Sequence, residues 1–137
     1  MANSIYVPLR QMPVSLEQLK TWLLETVLSL DRKDIRIDVY KNNEEASFLD
    51  SSLIVEGGAP GLQCLLSIFP CSEEISECDG YLQIADIKTR GNWWFAGMVA
   101  YALLINSGCI VFNDAGELDG QTTYTADSLR LVLEKTK

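Results

Sequence analysis

Any chemistry in this chain has to be done without histidine, because its 137 residues contain none. That removes Ser-His-Asp and Cys-His arrangements, imidazole metal sites and the commonest general base. Carboxylates, thiols and a few cations remain. Asp86, Asp114 and Glu56 are the candidates for general acid–base work or for holding Mg²⁺, but no motif pairs them, and strand-end placement is the plainer expectation. Cys64, Cys71 and Cys78 recur every seven residues, whereas zinc sites ask for close pairs such as CxxC. Cys64 lies within a strand-like run and Cys109 begins one, as small apolar side chains do. Cys71 and Cys78 fall in an acidic loop, where nearby carboxylates would raise a thiol pKa and blunt its reactivity. All four are expected to be structural thiols. Lys88 and Arg90 precede a helix start, a natural anion site if the first N–H groups stay free; the competing use is a cap from Asn92. The GGAPG run at 57–61 lies between strand-like segments, where a phosphate loop should lead into a helix, so it is expected to be a turn. Neither a metal nor a cofactor is expected.

The charge carries more information. The net charge is −8 with a pI near 4.4, which argues against nucleic acid, whose binding is driven by Lys and Arg, and against anionic membrane surfaces. Residues 41–80 hold eight carboxylates (Glu44, Glu45, Asp50, Glu56, Glu73, Glu74, Glu77 and Asp79) against Lys41 alone, a balance of −7. Two readings stand side by side: solvated loops kept acidic for solubility, or a surface aimed at a basic partner.

The elements that must position these groups follow from periodicity. Residues 5–9 form a short strand. Ser15 and Gln18 make a capping-box pattern ahead of an amphipathic helix over 15–30, with Leu16, Leu19, Leu23, Val27 and Leu30 at helical spacing. IRIDVYK (35–41) alternates as a strand, two further strands flank GGAPG, and YLQIADIKT (81–89) alternates again with Leu82, Ile84 and Ile87 as core contacts. PCSEEISECDG (70–80) is a polar connection. GNWWFAGMVAYALLINSG (91–108) carries no charge from Trp93 to Ile105. Asn92 can cap it and Gly108 end it, so a helix runs from 92 to 107. At about 1.5 Å per residue it spans roughly 24 Å, short of a ~30 Å hydrocarbon core. It is a buried core helix, with Ala96, Gly97 and Ala100 allowing close approach. CIVFND (109–114) continues as a strand, compatible with a β–α–β crossover. A short strand near 122–124 and a helix over 126–135, capped by Thr125, complete the chain. The expectation is a single α+β domain over 1–137, with a mixed, largely antiparallel sheet of five or six strands and three helices. The opening MANSIYVPLR has no basic n-region, apolar h-region or cleavage site, which suggests a cytoplasmic protein.

The order strand, hydrophobic helix, strand, turn, helix over 80–133, from GYLQIADIKT through GCIVFNDAGE to YTADSLRLVL, in a small acidic chain without a catalytic signature, resembles the immunity proteins of bacterial toxin–immunity systems. The resemblance is one of layout. It implies neutralisation of a co-produced toxin by direct binding, often through an acidic surface laid over a basic nuclease or an active-site cleft. The expected function is therefore non-catalytic capture of a basic protein partner. On the charge pattern, the partner surface is Glu44, Glu45, Asp50, Glu73, Glu74, Glu77 and Asp79. The alternatives are an adaptor or structural subunit and, behind it, a small enzyme using carboxylates.

Overall fold

Helix α3 (Trp93–Ser107) organises the molecule: every residue from Phe95 to Leu104 is buried, as a segment apolar on all sides must be. The computed structural model describes residues 4–43, 45, 52–89, 92–113, 116, 118 and 120–135. Among these the other elements are β1 (Ser4–Leu9), α1 (Leu16–Ser29), β2 (Asp38–Lys41), β3 (Leu53–Glu56), β4 (Gln63–Pro70), α2 (Glu73–Ser76), β5 (Gln83–Lys88), β6 (Val111–Phe112), β7 (Thr123–Tyr124) and α4 (Ala126–Lys135). The class is α+β as expected. The described residues hold seven strands and four helices: the strands near 109–114 and 122–124 are both present as a short pair that completes the seven, and the added helix is α2, a single turn too short to carry a periodic signal.

The strand order is β2-β3-β4-β5-β1-β6-β7, and each neighbouring pair is antiparallel. β5 and β6 both run opposite to β1 and hence parallel to one another, with α3 crossing between them. The expected β–α–β unit is present, but the N-terminal strand fills the slot between its two strands. The sheet is antiparallel for that reason, not mixed.

Alternation sorts the two faces. Ile5, Val7, Leu9, Val55, Leu66, Ala85, Ile87 and Val111 face α1, α3 and α4 and form one core with Leu19, Leu23, Phe95, Leu103, Leu129 and Leu133. Side chains one residue out of phase, such as Tyr6, Leu65, Asp86 and Lys88, share the other face by register. None of the three longer helices contributes to that face. This register corrects the expected core of β5. Ile87 is buried, but Leu82 is 52% exposed and Ile84 lies on the outer face with Asp86. The core position next to Ile87 is the small Ala85, which hides the true phase.

The helix ends follow the sequence. Ser15 Oγ accepts from Gln18 N at 3.1 Å, while Gln18 Oε1 accepts from Val14 N at 2.7 Å. Asn92 Oδ1 accepts from Phe95 N at 2.8 Å, and Gly108 N bonds Leu104 O at 3.0 Å. Arg130 on α4 donates to Ser29 O at 2.6 Å, setting a cation on the carbonyl end of α1. Trp94 Nε1 donates to Leu133 O at 2.8 Å and its ring stacks under Arg32, 4.6 Å from the centroid. A Cβ at Gly97 would come within 3.1 Å of Leu118 and 3.2 Å of Leu133, so the small residue in α3 is what lets α4 and Leu118 approach.

Candidate partner-binding surface

The sheet register decides where the acidic segments go. Leu53 at the start of β3 pairs with Leu66, midway along β4, and Glu56 at its end with Gln63, the first residue of β4. The β2–β3 connection and the β4–β5 connection therefore leave the sheet at the same end. The two connections, some thirty residues apart in sequence, thus start from one end of the sheet; Glu45 on the first is exposed, as are Glu73, Glu74, Glu77 and Asp79 on the second. Glu44 and Asp50 lie outside the described residues.

The β4–β5 connection (71–82) is built as a closed loop. Cys71 N bonds Leu82 O at 2.9 Å to form its neck. The turn of α2 starts from Ser72, whose carbonyl accepts from Ile75 N and Ser76 N, each at 3.1 Å. Its C-cap Glu77 takes the left-handed conformation at φ 59°. Ser76, buried, donates to Cys78 O at 3.1 Å and accepts from Cys78 N at 3.3 Å. The Glu73 carboxylate accepts from Gly80 N across the loop. So Glu73 holds the loop shut. The side chains of Glu74, Glu77 and Asp79 have no hydrogen bond or ion pair among the described residues, and no cation lies between 71 and 82. Four unpaired or backbone-bonded carboxylates on one ordered loop concentrate negative potential outward.

Apolar side chains accompany them. Ile75 is 61% exposed in the middle of the carboxylates, and Phe69 and Leu82, one on each side of the loop's neck, are about half exposed. An apolar centre with a charged rim is the composition of a protein interface. These three residues are absent from the sequence-derived set. Ile75 gave a signal, an isolated apolar residue inside SEEISECD; Leu82 was masked by its assignment to the core.

The cysteines need correcting. Cys78 and Cys109 form a disulfide across 31 residues, tying the acidic loop to the exit of α3, where four structural thiols were expected. Cys64 is buried and its thiol pKa is pushed up to about 12, chiefly by burial. The Cys71 thiol is also raised, again by burial and not by its acidic neighbours. Beside the disulfide, a cleft of about 350 Å³ is lined by Arg10, Tyr81 and the end of α3 from Leu104 to Gly108. Its wall is fixed by Gln11, which donates from its N to Ser107 Oγ at 2.8 Å and accepts from the same hydroxyl at 2.6 Å.

The other candidates do not assemble. Asp86 and Glu56 stand two strands and four residues apart on the outer face, and Asp114 lies outside the described residues. Among the described residues no three His, Cys, Asp or Glu side chains are grouped to hold a metal. The anion site at the start of α3 is occupied by its own cap, since Asn92 takes the Phe95 N–H; Arg90 lies outside the described residues. Lys88 is committed to Asp86 at 2.9 Å, and that hydrogen bond holds its pKa above the ordinary lysine value. Gly57–Gly61 is the β3–β4 turn, closed by Gly57 N to Leu62 O at 2.9 Å. Among the described residues no helix is long and apolar enough to cross a membrane. No known protein family, curated protein or solved structure matches the chain.

Proposed function

We propose that the chain is a non-catalytic binding protein that captures a basic protein partner through its acidic end, in the manner of an immunity protein that neutralises a toxin. The observation that supports this most is that both acidic segments leave the sheet at one end, with the Glu74, Glu77 and Asp79 side chains unpaired there among the described residues. Unpaired exposed carboxylates accelerate encounter with a basic surface, and Ile75, Phe69 and Leu82 add the apolar contact that holds it once docked. Those same apolar residues favour a second reading, an adaptor subunit whose partner is held by apolar contact alone. Salt separates the two. Tagged protein is used to capture partners from native lysate at low and high salt, alongside a Glu74→Lys, Glu77→Lys, Asp79→Lys variant. The proposal expects a stoichiometric basic protein that is lost at high salt and missed by the variant. Equal retention by both proteins at both salts would overturn it and favour the adaptor.

A cytoplasmic location belongs to the same proposal, and the Cys78–Cys109 disulfide weighs against it, because cytosolic reductants keep thiols reduced. A thiol count on protein trapped by alkylation at the moment of cell lysis decides: four free thiols support the cytoplasm, two contradict it.

A further inference from the structure

We infer that the Cys78–Cys109 disulfide is a redox latch: closed, it holds the acidic loop to the body of the protein, and a small thiol such as glutathione opens it and lets the loop swing from its neck. Every hydrogen bond described for residues 71–82 closes within that segment, from Cys71 N to Leu82 O at the neck to Gly80 N on the Glu73 carboxylate. No ion pair among the described residues reaches out of it. None of its residues belongs to the buried hydrophobic core. Among the described residues the bridge is therefore the one bond that ties this arm to anything beyond its own neck. Its other end, Cys109, follows α3, which the core fixes by burial. Cutting a bridge so placed frees the arm and leaves the core whole, which separates a latch from a structural staple.

Both bridged residues are half-buried, so a thiolate can reach the sulfurs from solvent. Opening is thiol–disulfide exchange. A glutathione thiolate attacks one sulfur, forming a mixed disulfide and expelling the other cysteine as a thiolate, which takes up a proton. A second glutathione thiolate then attacks the mixed disulfide, releasing oxidised glutathione and the remaining cysteine, which is protonated in turn. In sum the bridge gains two electrons and two protons from two glutathiones, which leave as one disulfide. Closing is the reverse, with oxidised glutathione as the oxidant. The cleft follows the latch: Tyr81 lines it from the arm, and Ser107 and Gly108, next to Cys109, from the body, so the swing removes one of its walls. The consequence for capture rests on the function proposed above. With the bridge closed, the loop that carries Glu74, Glu77 and Asp79 is ordered before a partner arrives, which lowers the cost of ordering it on binding. Capture is then tightest under oxidising conditions.

The test needs no partner. The full chain is equilibrated across ratios of reduced to oxidised glutathione, its thiols are trapped by alkylation and mapped, and hydrogen exchange is followed at each ratio. The latch expects the 78–109 bridge to open within the ratios that glutathione buffers cover, with circular dichroism unchanged. Once it is open, amides of 71–82 should exchange faster on the order of tenfold, while those of 93–107 keep their rate. Cys78→Ser should show the fast pattern at every ratio. Cys71→Ser should leave the titration as it is, since that thiol donates to Tyr81 O at the neck. A bridge that stays closed in excess reduced glutathione until the chain unfolds is a staple and overturns the latch. So does a bridge that opens with no change at 71–82, a pairing of Cys71 with Cys78 on oxidation, or a Cys78→Ser variant whose loop still responds to glutathione. These outcomes leave the acidic-surface reading standing, and a failed capture of basic partners leaves the latch standing.

Discussion

Helix α3 and the β4–β5 connection are held in place by different forces. The helix is fixed by burial: ten consecutive buried residues, packed against the sheet on one side and α1 and α4 on the others. The connection buries little. It keeps its shape by short polar bonds to its own backbone, through Ser76 and Glu73, and by one covalent tie to the end of α3. A region stabilised by apolar area can be read from composition and loses stability by truncation. A region stabilised by local bonds can expose its charges, because only Glu73 among them is used to hold the loop. The molecule divides its work accordingly, with α3 supplying the stability and the acidic end free for a partner.

That division can be broken most severely in the core. Phe95→Ala, at a fully buried residue, should cost about 3–5 kcal/mol in denaturant unfolding while leaving the bonding of the acidic loop intact in whatever folded fraction remains. Alkali attacks the same core from another direction. The Cys64 thiol is raised from 9.0 to about 12, so the folded chain keeps its proton where the unfolded chain loses it. Stability from this group is full below pH 9 and falls between pH 9 and 12, by up to about 4 kcal/mol in all. Unfolding free energies measured across that range check the sign, and Cys64→Ala should flatten the fall. Third in size is the covalent tie. Cys78→Ser with Cys109→Ser should cost roughly 2–4 kcal/mol. Hydrogen exchange should locate the loosening in residues 71–82 before α3. Equal loss of protection in both regions would mean that the two are not separate cooperative units. Smallest is the surface itself: the Glu74→Lys, Glu77→Lys, Asp79→Lys variant should change stability by no more than about 0.5 kcal/mol, read from the same denaturation curves.

The two regions also differ in how much of them the sequence discloses. α3 was legible from Asn92 to Gly108 because cap, apolar run and glycine stop all agree. The charge excess was equally plain. Its departure from one end of the sheet was not, since that depends on β3 pairing with β4 and on which ends then coincide. β5 departs from its pattern for a physical reason: its inward residues are Gln83, Ala85 and Ile87, so Leu82 and Ile84 outweigh the true core phase. The disulfide joins residues 31 apart and depends on the loop folding back to the exit of α3, which no spacing rule predicts. Ser76 and Glu73 act through backbone bonds that composition does not register.

Association kinetics test the central claim most directly. With the captured partner purified, association rates are measured across ionic strengths for wild type and for the Glu74→Lys, Glu77→Lys, Asp79→Lys variant. If the acidic end steers the partner, wild type associates faster at low salt by about tenfold or more and the two rates converge as salt rises. Identical rates with identical salt slopes would contradict it, and the carboxylates of this loop would then serve solubility alone.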